Sequence, residues 1–178
     1  MCMEDTEIID IVDKNNKVVG LTDVKTAHEQ KLMHRVVGVF VFDVDDGELY
    51  LQTDNKYGKL DIAVGGHVRK DETYESAAQR EMYEEIGLHT PLQHISTFLP
   101  KNAQLNHYWT IYKTIAPFAW KFKETEEVKA LQKRGMSNII SMMKSNPDLF
   151  THGFMNAMKE LIRDLWEKQK EKQAVNKK

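Results

Sequence analysis

The amino-acid sequence predicts a single α/β domain, an α/β/α sandwich built on a mixed sheet. Three observations lead there. Residues 34–43 form a near-continuous Val/Phe run, the pattern of a strand buried on both faces. Strand-like segments flank one sharply bounded helix and two more helical patterns close the chain, an order that places helices on the faces of a sheet. At 178 residues the chain holds one domain with a real core and is too short for two comfortable ones.

The elements follow in order. Residues 7–13 are apolar and β-branched, and Lys14-Asn15-Asn16-Lys17 turns them into Val18-Val19-Gly20-Leu21, a hairpin. A short helical turn is expected over 22–28. After the buried strand, Asp45-Asp46-Gly47 leads into a strand at 48–53, a polar loop at 54–59 and a short strand at 61–64 ending in Gly65-Gly66. Asp71 or Thr73 caps the next helix, and Gly87 supplies the residue that most readily takes a left-handed C-terminal turn. Further strands are expected at 94–99 and 107–116, the second closed by Pro117. The last third reads as two helices, 126–144 interrupted at Gly135 and 150–168, separated by Asn146-Pro147. Residues 1–170 then form the domain, and the charged tail 171–178 is expected to be disordered.

Composition narrows the function classes. A formal net charge of −2 argues against a nucleic-acid polymer as partner, because neutralising a phosphate backbone needs clustered Lys and Arg. The single cysteine, Cys2, forms no internal disulfide and makes a cysteine-centred catalyst or zinc cluster unexpected. The opening residues are acidic and lack a signal-peptide pattern, and no apolar run approaches a membrane span, so a cytoplasmic protein without a membrane partner is expected.

The informative segment runs from Gly66 to Leu88. On a helix, Glu81, Glu84 and Glu85 fall within an arc of about 100° on one face. Ala78, Met82 and Ile86 form an adjacent stripe suited to a sheet. Three carboxylates beside a buried stripe raise one another's pKa unless a cation intervenes, and oxygen-only ligands select hard ions such as Mg²⁺ or Mn²⁺. Taken alone, the triplet more often describes an exposed acidic helix face.

The surrounding residues decide between the two. Gly66, Glu72, Arg80, Glu81, Met82, Glu84, Glu85, Gly87 and Leu88 fill, in order, the pattern G-x5-E-x7-R-E-U-x-E-E-x-G-U, with U a bulky aliphatic. The segment resembles the Nudix box at every specified position. That resemblance implies a Nudix-type α/β/α sandwich with a loop–helix–loop metal site. It implies Glu81 and Glu85 as the main metal ligands, with Glu84 a further ligand or the base that activates water. The carbonyl of Gly65 joins such a site, and Glu72 with Arg80 forms an ion pair fixing the loop against the helix. The implied activity is Mg²⁺- or Mn²⁺-dependent hydrolysis of a diphosphate linkage in a small molecule of the nucleoside diphosphate-X type. Glu124, Glu126 and Glu127 are candidates for a base outside the box, and an acidic helix start explains them as well.

Resemblance extends to the branch of the family that includes isopentenyl diphosphate isomerase, through residues 7–13, Val19-Gly20, His28, His34-Arg35, residues 64–68 and residues 146–154. His28, His34 and His67 match isomerase metal ligands in type and rough placement, with structural histidines in hydrogen bonds as the alternative. The isomerase reaction requires a cysteine two residues before the position of His67 and a glutamate on the strand near 105–109. Here those places hold Gly65 and a stretch, Gln104 to Trp109, without a carboxylate. Hydrolysis is therefore expected over isomerisation, and over a non-catalytic nucleotide-binding module, because no box carboxylate is lost.

Other residues carry weaker expectations. Tyr57, Lys59 and Arg69 sit in loops able to contact phosphate or a base, or to face solvent; Tyr108, Trp109 and Tyr112 suit nucleobase stacking or, more commonly, the core. Met136, Met142 and Met143 read as helix packing. The late amphipathic helix around Phe154, Met158, Leu161, Ile162 and Leu165 is expected to cover the sheet, with a homodimer contact as the alternative.

Overall fold

The structure is a computed structural model that describes residues 7–53, 58–100 and 106–175. Cys2, Tyr57 and Gln104 lie outside the described residues. Its spine is β3 (His34–Asp43), ten residues long and buried over Val36–Val41. Along one edge β3 pairs in parallel with β8 (His107–Ala116) over its whole length. Along the other it meets three strands in turn. These are β1 (Ile8–Val12) at His34, β6 (Val64–His67) over Val36–Val39, and β4 (Leu49–Thr53) at Val41–Phe42, all antiparallel. A parallel pair at the centre of antiparallel neighbours makes the sheet mixed.

The remaining strands extend this frame. β2 (Val18–Asp23) pairs with β1 as the expected hairpin, β5 (Leu60–Ile62) with β4, and β7 (Gln93–Phe98) with β8. A short helix α1 (Val24–Glu29) follows β2, capped by the Asp23 carboxylate on the Thr26 N–H at 2.9 Å.

Apolar side chains alternate between the two faces and build two cores. Helix α2 (Tyr74–Ile86) lays Ala77, Ala78, Met82 and Ile86 against Val37, Val39, Val41 and Tyr112. On the opposite face, α3 (Met136–Ser145) and α4 (His152–Val175) bring Ile139, Phe154, Met158 and Leu161 onto Phe40, Leu49, Leu51 and Ile111. That is an α/β/α sandwich. Thr73 caps α2 in a reciprocal box with Ser76, and Gly87 ends it with φ 63°, a conformation that favours glycine.

Three expectations need correction. Residues 126–134 do not begin a helix: they run as irregular chain into a ninth strand, β9 (Leu131–Arg134), which pairs antiparallel with β4. Gly135 is then the N-cap of α3 instead of a break within it. The strand expected at 61–64 is two strands parted at Ala63. At the C-terminus, α4 continues to Val175, into the charged tail expected to be disordered from 171, because Glu, Lys and Gln are good helix formers and no glycine stops them.

Phe154 stacks on Phe150, with ring centroids 4.9 Å apart, and meets Phe40 edge-on at 6.2 Å. Phe154→Ala is expected to cost about 3–5 kcal/mol in urea unfolding. Phe118→Ala, at a position 81% exposed, should stay within about 0.5 kcal/mol. Equal effects would contradict this placement of the core.

Candidate functional site

The loop–helix segment starts from β6. Gly66 faces α2 so closely that a Cβ there would lie 2.1 Å from the Glu81 carboxylate, a position only glycine can occupy without displacing it. The Gly65 N–H donates to Glu85 Oε2 at 3.1 Å. Between β6 and α2 the loop is tied back by the Arg69 N–H, which donates to Glu72 Oε2 at 2.9 Å.

Arg80 joins loop to helix. Its Nε and Nη2 bind the two oxygens of Glu72 at 2.7 and 2.9 Å, and Nη2 also donates to the His67 carbonyl at 3.0 Å. Nη1 reaches Glu81 at 2.8 Å and Glu84 at 3.1 Å. These carboxylates hold the guanidinium firmly charged, and Arg80 in turn keeps the Glu72 carboxyl below its usual range.

The three helix carboxylates differ in setting. Glu81 and Glu85 are buried, whereas Glu84 is half-exposed at the rim, held by Arg80 and lying 3.7 Å from Arg69. The carboxylate that converges with Glu81 and Glu85 is Glu127: one oxygen from each of the three lies within 4.8 Å of the others. Glu127 comes from the irregular 125–128 turn, which Thr125 latches to the end of α2 by donating to the Glu85 carbonyl at 2.9 Å. Val128, buried in the core beside α2, anchors the same turn. Of the candidates outside the box, Glu127 is thus the one the fold brings to the cluster.

Burial pushes the Glu81 carboxyl up to about 7 against the pull of Arg80. Burial also raises the Glu85 carboxyl well above the carboxylate range, and repulsion from Glu81, Glu127 and Asp61 adds to this. Two buried carboxylates short of positive charge, with a third beside them, are a donor set that a hard divalent cation fits.

Gly65, Gly66, His67, Arg69, Glu81, Glu84 and Glu127 line one cleft of about 490 Å³, together with Glu7 and Val24. That volume suits a small molecule. Glu7 pairs with Arg69, Oε1 to Nε at 2.7 Å, a role no sequence pattern signals, because it is a lone glutamate just before β1. Larger clefts of about 860 and 610 Å³ lie along β8 and α4, away from the carboxylates. The aromatic candidates are engaged elsewhere. Tyr112 lies in the core under α2, Trp109 packs on the α4 side, and the Tyr108 hydroxyl donates to the Lys14 carbonyl at 2.6 Å. Lys59 is not among the residues lining the carboxylate cleft.

His28, His34 and His67 do come together, with ring centroids 5.1–5.3 Å apart. Since Gly66 faces α2, His67 turns to the other face of β6, away from Glu81. Burial holds the His67 imidazole down to about 3, with neighbouring histidines and Arg80 contributing.

The profile of the NUDIX domain family matches residues 32–136, more than half the chain. The chain belongs to the Nudix family. Its relatives include an uncharacterised Nudix hydrolase of Nostoc sp., 37% identical over 117 residues, covering 62% of this chain and 64% of that protein. An uncharacterised Nudix hydrolase of Yersinia pestis is 31% identical, covering 68% of this chain and 71% of its own. An isopentenyl-diphosphate Delta-isomerase of Serratia proteamaculans is 29% identical, covering 87% of this chain and 91% of that enzyme. Among solved structures, DR0079 from Deinococcus radiodurans superposes with a TM-score of 0.65 at 22% identity, over 79% of this chain and 90% of the other. The MutT protein from Methanosarcina mazei does so at 0.58 and 18%, over 73% and 93%. These likenesses establish the Nudix fold. Among the described residues, no helix is long and apolar enough to cross a membrane.

A carboxyl whose pKa is raised by folding takes up a proton, so it costs stability once the pH passes its unfolded value. For Glu81 that window opens near 4.5 and closes above about 7. With divalent ions chelated, Glu81→Gln should therefore gain Tm relative to the parent chain as the pH rises through this window. A Tm difference that does not change with pH would contradict a Glu81 carboxyl whose burial outweighs the pull of Arg80.

Proposed function

We propose that this Nudix domain is a hydrolase that cleaves the diphosphate linkage of a small molecule of the nucleoside diphosphate-X type, using Mg²⁺ or Mn²⁺. The convergence of Glu81, Glu85 and Glu127 beside Gly65 and Gly66, in a cleft of small-molecule size, carries this reading. Glu81, Glu85 and Glu127 would hold the ion, with the Gly65 carbonyl as a further donor. The bound ion would neutralise the diphosphate and make a water nucleophilic. Arg80 keeps Glu81 and Glu84 oriented while Glu72 fixes the guanidinium, so the carboxylates meet the substrate pre-aligned. Glu84, on the cleft wall and outside that ligand set, would take the proton of the attacking water. Arg69, at the rim beside Glu84, supplies a cation for the diphosphate.

The extended likeness to isopentenyl-diphosphate isomerases supports a second reading, that the site moves a double bond. Residue chemistry weighs against it. Gly65 stands where that reaction needs a cysteine, and residues 104–109 carry no carboxylate. Glu85→Gln should lower metal-dependent hydrolysis by at least about a hundredfold with the fold intact. The unaltered chain should yield no dimethylallyl diphosphate from isopentenyl diphosphate. Near-unchanged hydrolysis in the variant, or detectable isomerisation, would overturn the proposal.

A further inference from the structure

The strand that opens the fold also reaches the cleft. β1 lies against the loop between β6 and α2: the Lys70 N–H donates to the Ile8 carbonyl at 2.8 Å, and the buried Ile9 bridges to Arg69 in antiparallel register. On the hairpin side, the Val24 N–H donates to the Glu7 carbonyl at 3.1 Å. Backbone bonds at Glu7 and at the next residue therefore fix where the Glu7 side chain starts, on the wall of the cleft.

Glu7 and Arg69 meet along one edge only. A single oxygen, Glu7 Oε1, accepts from Arg69 Nε at 2.7 Å and also from Nη2. These donors form the inner edge of the planar guanidinium. Among the described residues, no hydrogen-bond acceptor meets the outer edge, Nη1 with the second N–H of Nη2. Glu84 Oε2 stands 3.7 Å from Nη2, beyond hydrogen-bond reach. Arg69 lines the cleft with its side chain 37% exposed. An open Nη1/Nη2 edge is the fork that takes two oxygens of one phosphoryl group.

We propose that Glu7 is a positioning residue, which holds Arg69 by its inner edge so that the outer edge clamps a phosphoryl group of the diphosphate at the cleft rim. The inference rests on the hydrolytic reading for its substrate. Without Glu7, Arg69 would be drawn across the 3.7 Å gap to Glu84. Glu7 keeps the two apart, leaving the cation for the substrate and Glu84 for the water. Partly exposed ion pairs add little to stability, so orientation is the main effect of this one. Charge alone predicts the opposite outcome. Glu81, Glu84 and Glu127 already line the cleft with Glu7, and deleting one negative charge would ease the entry of an anion.

The test titrates the full chain, in excess Mg²⁺, with methylenediphosphonate, a diphosphate whose P–C–P bridge resists hydrolysis. Arg69→Ala should weaken binding about tenfold or more, the loss expected for charged hydrogen bonds. Glu7→Ala should weaken it about fivefold, with no further loss when Arg69 is already alanine. Glu7→Gln keeps an oxygen able to accept both N–H groups and should bind within about twofold of the unaltered chain. Because the probe is not cleaved, binding is scored apart from turnover. A chain that shows this pattern yet hydrolyses nothing would retire the hydrolase reading and leave the clamp standing. Unchanged or tighter binding in Glu7→Ala, an equal loss in Glu7→Gln, a loss that persists without Arg69, or no binding by the unaltered chain would overturn the inference.

Discussion

The guanidinium of Arg80 holds the carboxylate face together, because each of its five N–H directions meets an acceptor. Two go to Glu72 in the loop, one to the β6 backbone at His67, and one each to Glu81 and Glu84 on the helix. The loop, strand and helix that frame the cleft are thereby referred to one planar group. A lysine could not reproduce this, since a point charge cannot serve acceptors set around a planar fork. Burial makes the arrangement costly to break: stranding one partner of a buried charged network typically costs about 3–5 kcal/mol.

β6 is the complementary constraint. Its four residues give one face to carboxylates and the other to imidazoles. Gly66 is empty so that Glu81 can approach the backbone, while His67 next to it turns to the opposite side. The alternation of a β-strand thus separates hard oxygen donors from nitrogen donors by the thickness of one backbone. Between them, Gly65 lends its N–H to Glu85 and lines the cleft, where a cysteine would be needed for isomerase chemistry.

Much of this was legible in the sequence, and what was not has a common cause. The buried run at 34–43, the Thr73 and Gly87 boundaries of α2 and the one-sided spacing of Glu81, Glu84 and Glu85 are local, and local periodicity carries them. The strand at Leu131–Arg134 has a helix-like composition, since Leu, Gln, Lys and Arg are good helix formers, yet pairing with β4 prevails. Glu127 reaches Glu81 and Glu85 from a turn without any period, brought there by the Thr125 latch and the buried Val128. His107 joins His34 through a parallel register between strands more than sixty residues apart, which no spacing within one segment reveals.

The central claim is that the cleft activates water against a phosphorus centre. A panel of nucleoside diphosphates, nucleotide sugars, dinucleotides and prenyl diphosphates, incubated with Mg²⁺ or Mn²⁺ in ¹⁸O-labelled water, tests it most directly. The account predicts metal-dependent release of a phosphate or nucleoside monophosphate that carries one solvent oxygen for each bond cleaved. Tight, saturable binding of any of these compounds without release of a labelled product from the panel would contradict it.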